Sequence, residues 1–222
     1  MPIIQSLGSA SAQGFGSFGI GTRTQGPTTI GEFWQGGYYA GQIAFGGNTY
    51  YLLVSPAASG QSQKLWATTP LQTSLGLSTY DGATNTSELN SATFPAAQWC
   101  AGLTINGYSD WYLPALYELE ICYYNLKPTT DNNVTTVGSN AYAVPARGSN
   151  YTTSVPGQTS VVAFREGNSE AFASGSGQRT WTSTNPSSTS ISARRITMDD
   201  GTQATNDKDF NYYVRAIRKV AV

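Results

Sequence analysis

The sequence predicts an α+β fold in which an antiparallel sheet and two short helices follow an extended N-terminal arm. Short runs rich in Tyr, Ile, Leu and Val alternate with glycine-containing turns over most of the chain, which is typical of strands. Two segments begin with a proline and continue with apolar residues, which indicates helices. Gly, Ser, Thr and Ala dominate the N-terminal segment, so we expect no core there.

Residues 1–32 are predicted to form a flexible arm, and residues 33–222 a single ordered domain. The arm cannot bury enough apolar surface to fold alone. Phe15, Phe18 and Ile20 are spaced among its glycines. This spacing favours a docking peptide, or a strand lent to a neighbouring subunit, over an unattached terminus.

Strands are predicted where aromatic and β-branched residues cluster. The runs GGYYAGQIAF and NTYYLLVS are joined by Gly46-Gly47-Asn48, a strong hairpin signal. QKLWATT follows as a further short strand, and residues 71–90 are expected to be turns, with Asp81-Gly82 the clearest. Near the C-terminus, ISARRIT, a turn at Asp200-Gly201 and one closing strand from Tyr212 to Val220 are expected.

The first helix is predicted in FPAAQWCAGLTI and begins at Pro95. The second opens at Pro114 and ends at Lys127-Pro128. Its apolar residues fall on one face with a helical period: Leu116, Leu119, Tyr123 and Leu126. Residues 129–160 are polar and long, which predicts an ordered functional loop or a mobile excursion. SVVAFREGNSEAFA, which follows, is compatible with a short helix or a pair of strands.

Composition argues against several classes of partner. Charged residues make up 11% of the chain and the net charge is −1, whereas nucleic-acid binding requires a positive excess. No apolar run is long enough to span a membrane. The first residues lack the charged and apolar regions of a signal peptide, so we expect synthesis and initial residence in the cytosol.

The chain contains no histidine, which removes the commonest general base and most catalytic triads and zinc sites. Cys100 and Cys122 are expected to be buried and free rather than disulfide-bonded, because a cytosolic protein seldom keeps a disulfide. The sequence therefore predicts a protein that is not an enzyme and that uses no cofactor.

Two groups of acidic residues suggest chemistry at first sight. Glu118 and Glu120 lie two positions apart on the second helix, so they point to different faces, and we expect both to be solvated. Oxygen ligands near the C-terminus allow a calcium site, at Asp199, Asp200, Asp207 and Asp209. The favoured interpretation is a hairpin turn with ion pairs to nearby cations (Arg194, Arg195, Lys208, Arg215 and Arg218), so no metal is the leading expectation.

The loop 129–160 holds the best candidate ligand-binding residues. They are amides, a guanidinium and phenol rings, the groups that contact sugars: Asn132, Asn133, Asn140, Tyr142, Arg147, Asn150 and Tyr151. The alternative is a solvated loop that packs on a neighbouring subunit. Both remain open at this point.

One stretch, GYSDWYLPALYELEICYYNLKPTT, resembles the Gly-x-x-Asp-Trp-(Arg/Tyr)-Leu-Pro-x-x-x-Glu-Leu core of the Lcl C-terminal domain family. The matching residues are Gly107, Asp110, Trp111, Leu113, Pro114, Glu118 and Leu119. WTSTN at Trp181 and the closing YYVRAIRKV, with Arg215 and Arg218, are also similar to family motifs. The chain departs from the pattern at Thr180, where the family often has Tyr, and at Arg194, where it often has Trp.

The resemblance implies a C-type-lectin-like fold, which family members in phage tail fibres and bacterial adhesins share. It further implies a virion protein (tail fibre, tail tip or capsid fibre) that is assembled in the host cytoplasm and displayed on the virion exterior. Its lectin-like domain would bind a host-surface glycan or protein, and its arm would dock onto other virion proteins. A homo-oligomer, with a trimer as the leading expectation, fits this role. The alternative is a decoration or tail-assembly protein whose loops make subunit contacts.

Overall fold

The computed structural model describes residues 25–222, in which ten strands form two five-stranded sheets. The strands are β1 (Phe33–Trp34), β2 (Gly37–Phe45), β3 (Asn48–Val54), β4 (Gln61–Leu65), β5 (Ala143–Val144), β6 (Thr180–Trp181), β7 (Ser192–Ile196), β8 (Gln203–Asp207), β9 (Asn211–Arg215) and β10 (Ile217–Ala221). Sheet A has the order β1-β2-β3-β10, and β5 also pairs with β2. Sheet B has the order β4-β9-β6-β7-β8.

The hairpin between β2 and β3 confirms the sequence prediction. Phe45 pairs with Asn48 across the turn. Gly46 and Gly47 both adopt positive φ, +59° and +78°, which tight hairpin turns require and glycine adopts without strain. β7 and β8 likewise pair as antiparallel neighbours on either side of the predicted Asp200-Gly201 turn.

The prediction of a single closing strand from Tyr212 to Val220 is wrong. The segment forms two strands, β9 in sheet B and β10 in sheet A, with a break at Ala216. Ala216 is fully buried, its N–H donates to the carbonyl of Gly60 at 2.9 Å, and its own carbonyl accepts from Ser55 N–H at 3.0 Å. Val214 and Ile217, on either side of the break, are both fully buried, so the sequence pattern carries no sign of the change of sheet.

The described part of the chain has four α-helices where two were predicted: α1 (Ala57–Gly60), α2 (Gly82–Glu88), α3 (Pro95–Ala101) and α4 (Leu116–Leu126). The predicted helices correspond to α3 and α4. The turn prediction for residues 71–90 is wrong over α2, where the Asp81 carboxylate caps the helix by accepting from Thr84 N–H at 3.3 Å. A second carboxylate, from Glu118, accepts from Gly82 N–H at 3.0 Å, so a tertiary contact supports a segment of weak helix formers.

Helix α4 is buried on nearly every side, since eight of its eleven residues are buried. The predicted apolar face, Leu116, Leu119, Tyr123 and Leu126, lies in the larger of two hydrophobic cores together with residues of sheet A. A smaller core is formed around Trp66, Trp111 and Trp181. Sheet B contributes to both, through Ile196 to the larger and Val214 to the smaller.

Contacts with the domain begin before the predicted boundary at residue 33. Ile30 packs against the larger core, and Gly31 N–H donates to the carbonyl of Tyr39 at 2.8 Å. Phe15, Phe18 and Ile20, the predicted docking residues, lie outside the described residues. The fold class is α+β as predicted, but with two sheets, four α-helices and a 3₁₀ helix (Val162–Phe164).

Candidate functional site

A pocket of about 280 Å³ lies beside α4. Helix α4 contributes Tyr124 to the wall of the pocket. The loop 129–160, which we call the excursion, contributes the rest: Arg147, Gly148, Ser149, Asn150, Tyr151, Thr152 and Val155. Tyr151 is buried at the wall, whereas Asn150 and the hydroxyl residues Ser149 and Thr152 are exposed at the rim. The pocket therefore combines aromatic surface with solvent-facing hydrogen-bonding groups.

Three of the seven predicted ligand residues line this pocket: Arg147, Asn150 and Tyr151. Tyr142 lies on the same loop but stacks on the ring of Tyr80, with a centroid distance of 4.5 Å. Asn132 is exposed and is not part of the pocket.

Asn133 and Asn140 are buried, and internal hydrogen bonds occupy their side chains. The Asn133 amide donates to the carbonyl of Pro156 at 2.9 Å, and its oxygen accepts from Lys127 Nζ at 2.7 Å. The oxygen of Asn140 accepts from Tyr142 N–H at 3.0 Å. These two side chains hold the excursion in shape, so we do not include them among the contact residues of the pocket.

Glu120 holds residues of the pocket wall from inside the protein. The prediction that its side chain is solvated is wrong. The side chain is fully buried and its carboxylate forms an ion pair with Arg147. It also accepts from Asn140 Nδ2 and from the Tyr151 hydroxyl, both at 2.6 Å. Burial raises the pKa of Glu120, and the Arg147 charge and these hydrogen bonds oppose that rise. One carboxylate thus fixes three residues of the excursion, two of which line the pocket.

Arg147 lies over the ring of Tyr124, with its guanidinium carbon 4.0 Å from the ring centroid. Its side chain is 17% exposed, and its Nε atom is buried with no hydrogen-bond partner within residues 25–222. The base of the loop is closed by two backbone hydrogen bonds between Asn140 and Arg147, at 2.7 and 2.9 Å. The position of Arg147 is therefore set before any ligand arrives.

Sequence reasoning missed Tyr124 and Glu120 as parts of this site. Tyr117, Glu120 and Tyr124 follow one another at the three- and four-residue spacing that places side chains on one helix face. That face is distinct from the predicted core face and carries two tyrosines around a carboxylate. The spacing of these three residues can be read from the sequence, but their contact with the excursion cannot.

Glu118 is the centre of the signature stretch, and its predicted solvation is also wrong. It is fully buried, accepts from Ala115 N–H at 2.8 Å and from the Tyr112 hydroxyl at 2.7 Å, and also binds Gly82 N–H. Burial raises its pKa to about 7, although the hydrogen bonds from Ala115 and Tyr112 act in the opposite direction. Glu118 joins the start of α4 to the start of α2, which makes it a structural residue.

The other polar signature residues are also structural. Arg218 forms a two-pronged ion pair with Asp110, at 2.7 and 2.8 Å, and lies over the Tyr108 ring at 4.0 Å. Arg215 is fully buried, donates to Glu170 at 3.1 Å, and has its pKa lowered to about 10 by burial. The signature therefore fixes the scaffold and places no polar group in the pocket beside Tyr124.

The four carboxylates of the calcium alternative do not form one site. Asp199 and Asp200 lie before β8, where they accept from Gly175 N–H at 2.7 Å and Thr202 N–H at 2.9 Å. Asp207 ends β8 and accepts from the Ser192 hydroxyl at 2.9 Å, so the strand separates the two pairs. In the part of the chain that the structure describes, no group of three His, Cys, Asp or Glu side chains is placed to hold a metal ion.

The prediction that these carboxylates form ion pairs with nearby arginines is wrong as well. Arg195 donates to the amide oxygen of Asn206 at 3.0 Å. Arg215 and Arg218 pair with Glu170 and Asp110 instead. Cys100 and Cys122, in contrast, are buried and free as predicted, and they belong to different cores. Burial raises the pKa of both thiols, which leaves them unreactive.

Comparisons with protein-family models, with curated proteins and with solved structures returned no match for this chain. The similarity to the Lcl C-terminal domain family therefore depends on the sequence motifs alone. Over residues 25–222, no helix combines the length and the apolar character that crossing a bilayer requires.

Proposed function

We propose that this protein is a virion component that displays a C-type-lectin-like domain on the particle exterior. It binds a glycan of the host surface through the pocket beside Tyr124. The observation that carries the proposal is the pocket itself, in which a buried carboxylate holds an arginine and a tyrosine in fixed positions beside an exposed amide. The motif resemblance supplies the phage context.

The chemistry of the pocket suits a sugar ring. Tyr124, which is half-buried, offers apolar surface to the C–H face of a pyranose, and the buried ring of Tyr151 packs beside it with a centroid distance of 6.4 Å. Asn150, Ser149 and Thr152 offer an amide and two hydroxyls to sugar hydroxyls. The volume, about 280 Å³, lies at the small end of ligand pockets, which fits one ring of a longer chain.

The charge of the site favours a neutral sugar. Among the residues that the structure describes, Arg147 is the one cation that lines the pocket, and Glu120 compensates its charge. The guanidinium therefore acts as a planar hydrogen-bond donor and stacking surface more than as a net positive charge. We expect hexoses and N-acetylhexosamines to bind better than sialic or uronic acids.

Replacing Tyr124 by alanine is expected to weaken glycan binding by about tenfold or more, because it removes one wall and the support of Arg147. Replacing Asn150 by alanine is expected to weaken it by a smaller factor, since one amide contact is lost. The measurement is titration of the purified full chain against glycans found positive on an array of host-surface polysaccharides.

Asn211→Ala provides the matched control for Asn150→Ala, since Asn211 is an exposed asparagine on β9, outside the pocket. Its affinity should equal that of the unchanged protein, and thermal unfolding should show all variants folded. Absence of glycan binding by the purified protein, together with normal adsorption of phage that lack it, would exclude the receptor role.

A second candidate function is a decoration or tail-assembly protein, and exposed apolar residues favour it. Phe33 is 53% exposed and Val162 is 61% exposed. Aromatic side chains such as Phe33 are enriched where subunits meet, and an exposed apolar side chain such as Val162 would be removed from water there. For this role we expect Phe33→Ser or Val162→Ser to reduce incorporation into particles while glycan binding stays unchanged. If both variants are incorporated as well as the unchanged protein, the decoration or assembly role is excluded.

A further inference from the structure

A second concavity, of about 460 Å³, lies on the face of sheet A that is turned away from α4. We call it the arm groove; it is lined by Gln25, Gly26, Trp34, Gln35, Tyr51 and Val220–Val222. Leu52, next to Tyr51 in β3, belongs to the core that contains α4. Because successive side chains of a strand point to opposite faces, Tyr51 points to the other side.

The floor of the arm groove is aromatic. The rings of Trp34 and Tyr51 meet edge to face at 5.6 Å, and Tyr39 contacts Tyr51 in the same way at 5.7 Å. Val222 at the rim is 67% exposed. Apolar side chains of a bound peptide would find complementary surface here.

One polar group in the arm groove lacks a partner. The indole N–H of Trp34 is buried and donates to no acceptor within residues 25–222.

A donor of this kind calls for a carbonyl acceptor, which an extended peptide supplies at every residue. A buried N–H left without a partner destabilises the fold. A peptide that lies over Trp34 and Tyr51 would bring a carbonyl to this donor and cover the aromatic floor at the same time.

The described part of the chain begins inside the arm groove. Gln25 and Gly26 line it, and Gly26 lies so close to Tyr51 that an added Cβ would be 2.3 Å from the hydroxyl oxygen. The 24 residues before Gln25 therefore start at the groove. Ile20 is five positions away, a reach of about 17 Å when extended, so the groove is within its range.

We propose that the arm groove binds residues 15–24 of the same chain, with Phe15, Phe18 and Ile20 packed against Trp34 and Tyr51. The glycines between these residues allow the chain to turn back over the sheet. A tether this short gives an effective concentration of about millimolar, so the chain's own segment outcompetes that of a second copy in dilute solution. The proposal is independent of the pocket beside Tyr124.

Hydrogen exchange of the full chain, read by mass spectrometry, tests the proposal. In a triple variant, Phe15→Ala, Phe18→Ala and Ile20→Ala, peptides that cover 33–36 and 218–222 are expected to exchange about threefold faster or more than in the unchanged protein. Peptides from α4 should be unaffected, since the arm groove lies on the face of sheet A that is turned away from α4. A matched triple variant of small polar residues, Ser6→Ala, Ser9→Ala and Ser11→Ala, should behave as the unchanged protein.

Each remaining outcome contradicts the proposal. Equal exchange in the unchanged protein and the apolar triple variant would show that the segment does not occupy the arm groove. Protection that increases over a tenfold rise in protein concentration, together with a doubled mass in solution, would assign the groove to the segment of a second copy.

Discussion

Replacing Glu120 by alanine is expected to lower the free energy of unfolding by about 3–5 kcal/mol, because it leaves a partly buried arginine without its counter-charge. The Tyr151 hydroxyl and the Asn140 amide lose their acceptor at the same time. Urea unfolding followed by tyrosine and tryptophan fluorescence measures the change. Glycan binding should be lost together with stability, since Glu120 positions Arg147 and Tyr151.

Two further variants separate charge from hydrogen bonding at this position. Glu120→Gln keeps an oxygen for Asn140 and Arg147 and places an amide against the Tyr151 hydroxyl, so it should cost less than alanine. Asp209→Ala, an exposed carboxylate near β9, should change stability by no more than about 0.5 kcal/mol. If Glu120→Ala were as mild as Asp209→Ala, the network around Glu120 would not anchor the excursion.

Glu118 is expected to make the protein less stable as the pH rises from about 4.5 to 7. Burial raises its pKa from 4.5 to about 7, so the folded protein binds this proton more tightly than the unfolded chain. Its favourable contribution is therefore complete below about pH 4.5 and decreases until about pH 7. A shift of this size corresponds to about 3 kcal/mol. Urea unfolding at intervals between pH 4 and 8 gives the curve.

Glu118→Gln is the matched control because its amide does not titrate. Its oxygen can accept from Gly82 and Ala115 N–H, and its nitrogen can donate to the Tyr112 hydroxyl, so the variant preserves the packing. Subtracting its curve from that of the unchanged protein removes the contributions of all other titrating groups. A difference that stays constant from pH 4 to 8 would show that Glu118 does not change its protonation in this range.

Features with a local cause were predictable from the sequence. The hairpin at Gly46-Gly47 follows from backbone freedom at two adjacent residues, and the core face of α4 follows from the spacing of Leu116 and Leu119. Helix α2 was not predictable in this way. Its stability depends on a carboxylate 36 positions away, and such a contact leaves no periodic signal in the segment itself.

The same limit applies to the candidate site. Residue type alone found Arg147, Asn150 and Tyr151, because guanidinium, amide and phenol groups in a polar loop are typical of ligand contacts. It also selected Asn133 and Asn140, which satisfy buried partners instead. An asparagine that binds a ligand and one that fastens a loop have the same chemistry and differ only in burial, which is a property of the fold.

The change from sheet B to sheet A at Ala216 has a consequence for biosynthesis. Residues 211–221 supply an inner strand of sheet B and an edge strand of sheet A, so neither sheet is complete before this segment has left the ribosome. Until then, the edge of β3 that β10 later pairs and the edges of β4 and β6 that β9 later pairs stay open. Deleting residues 217–222 should therefore yield nascent chains that are trapped by chaperones rather than a domain that lacks only one edge.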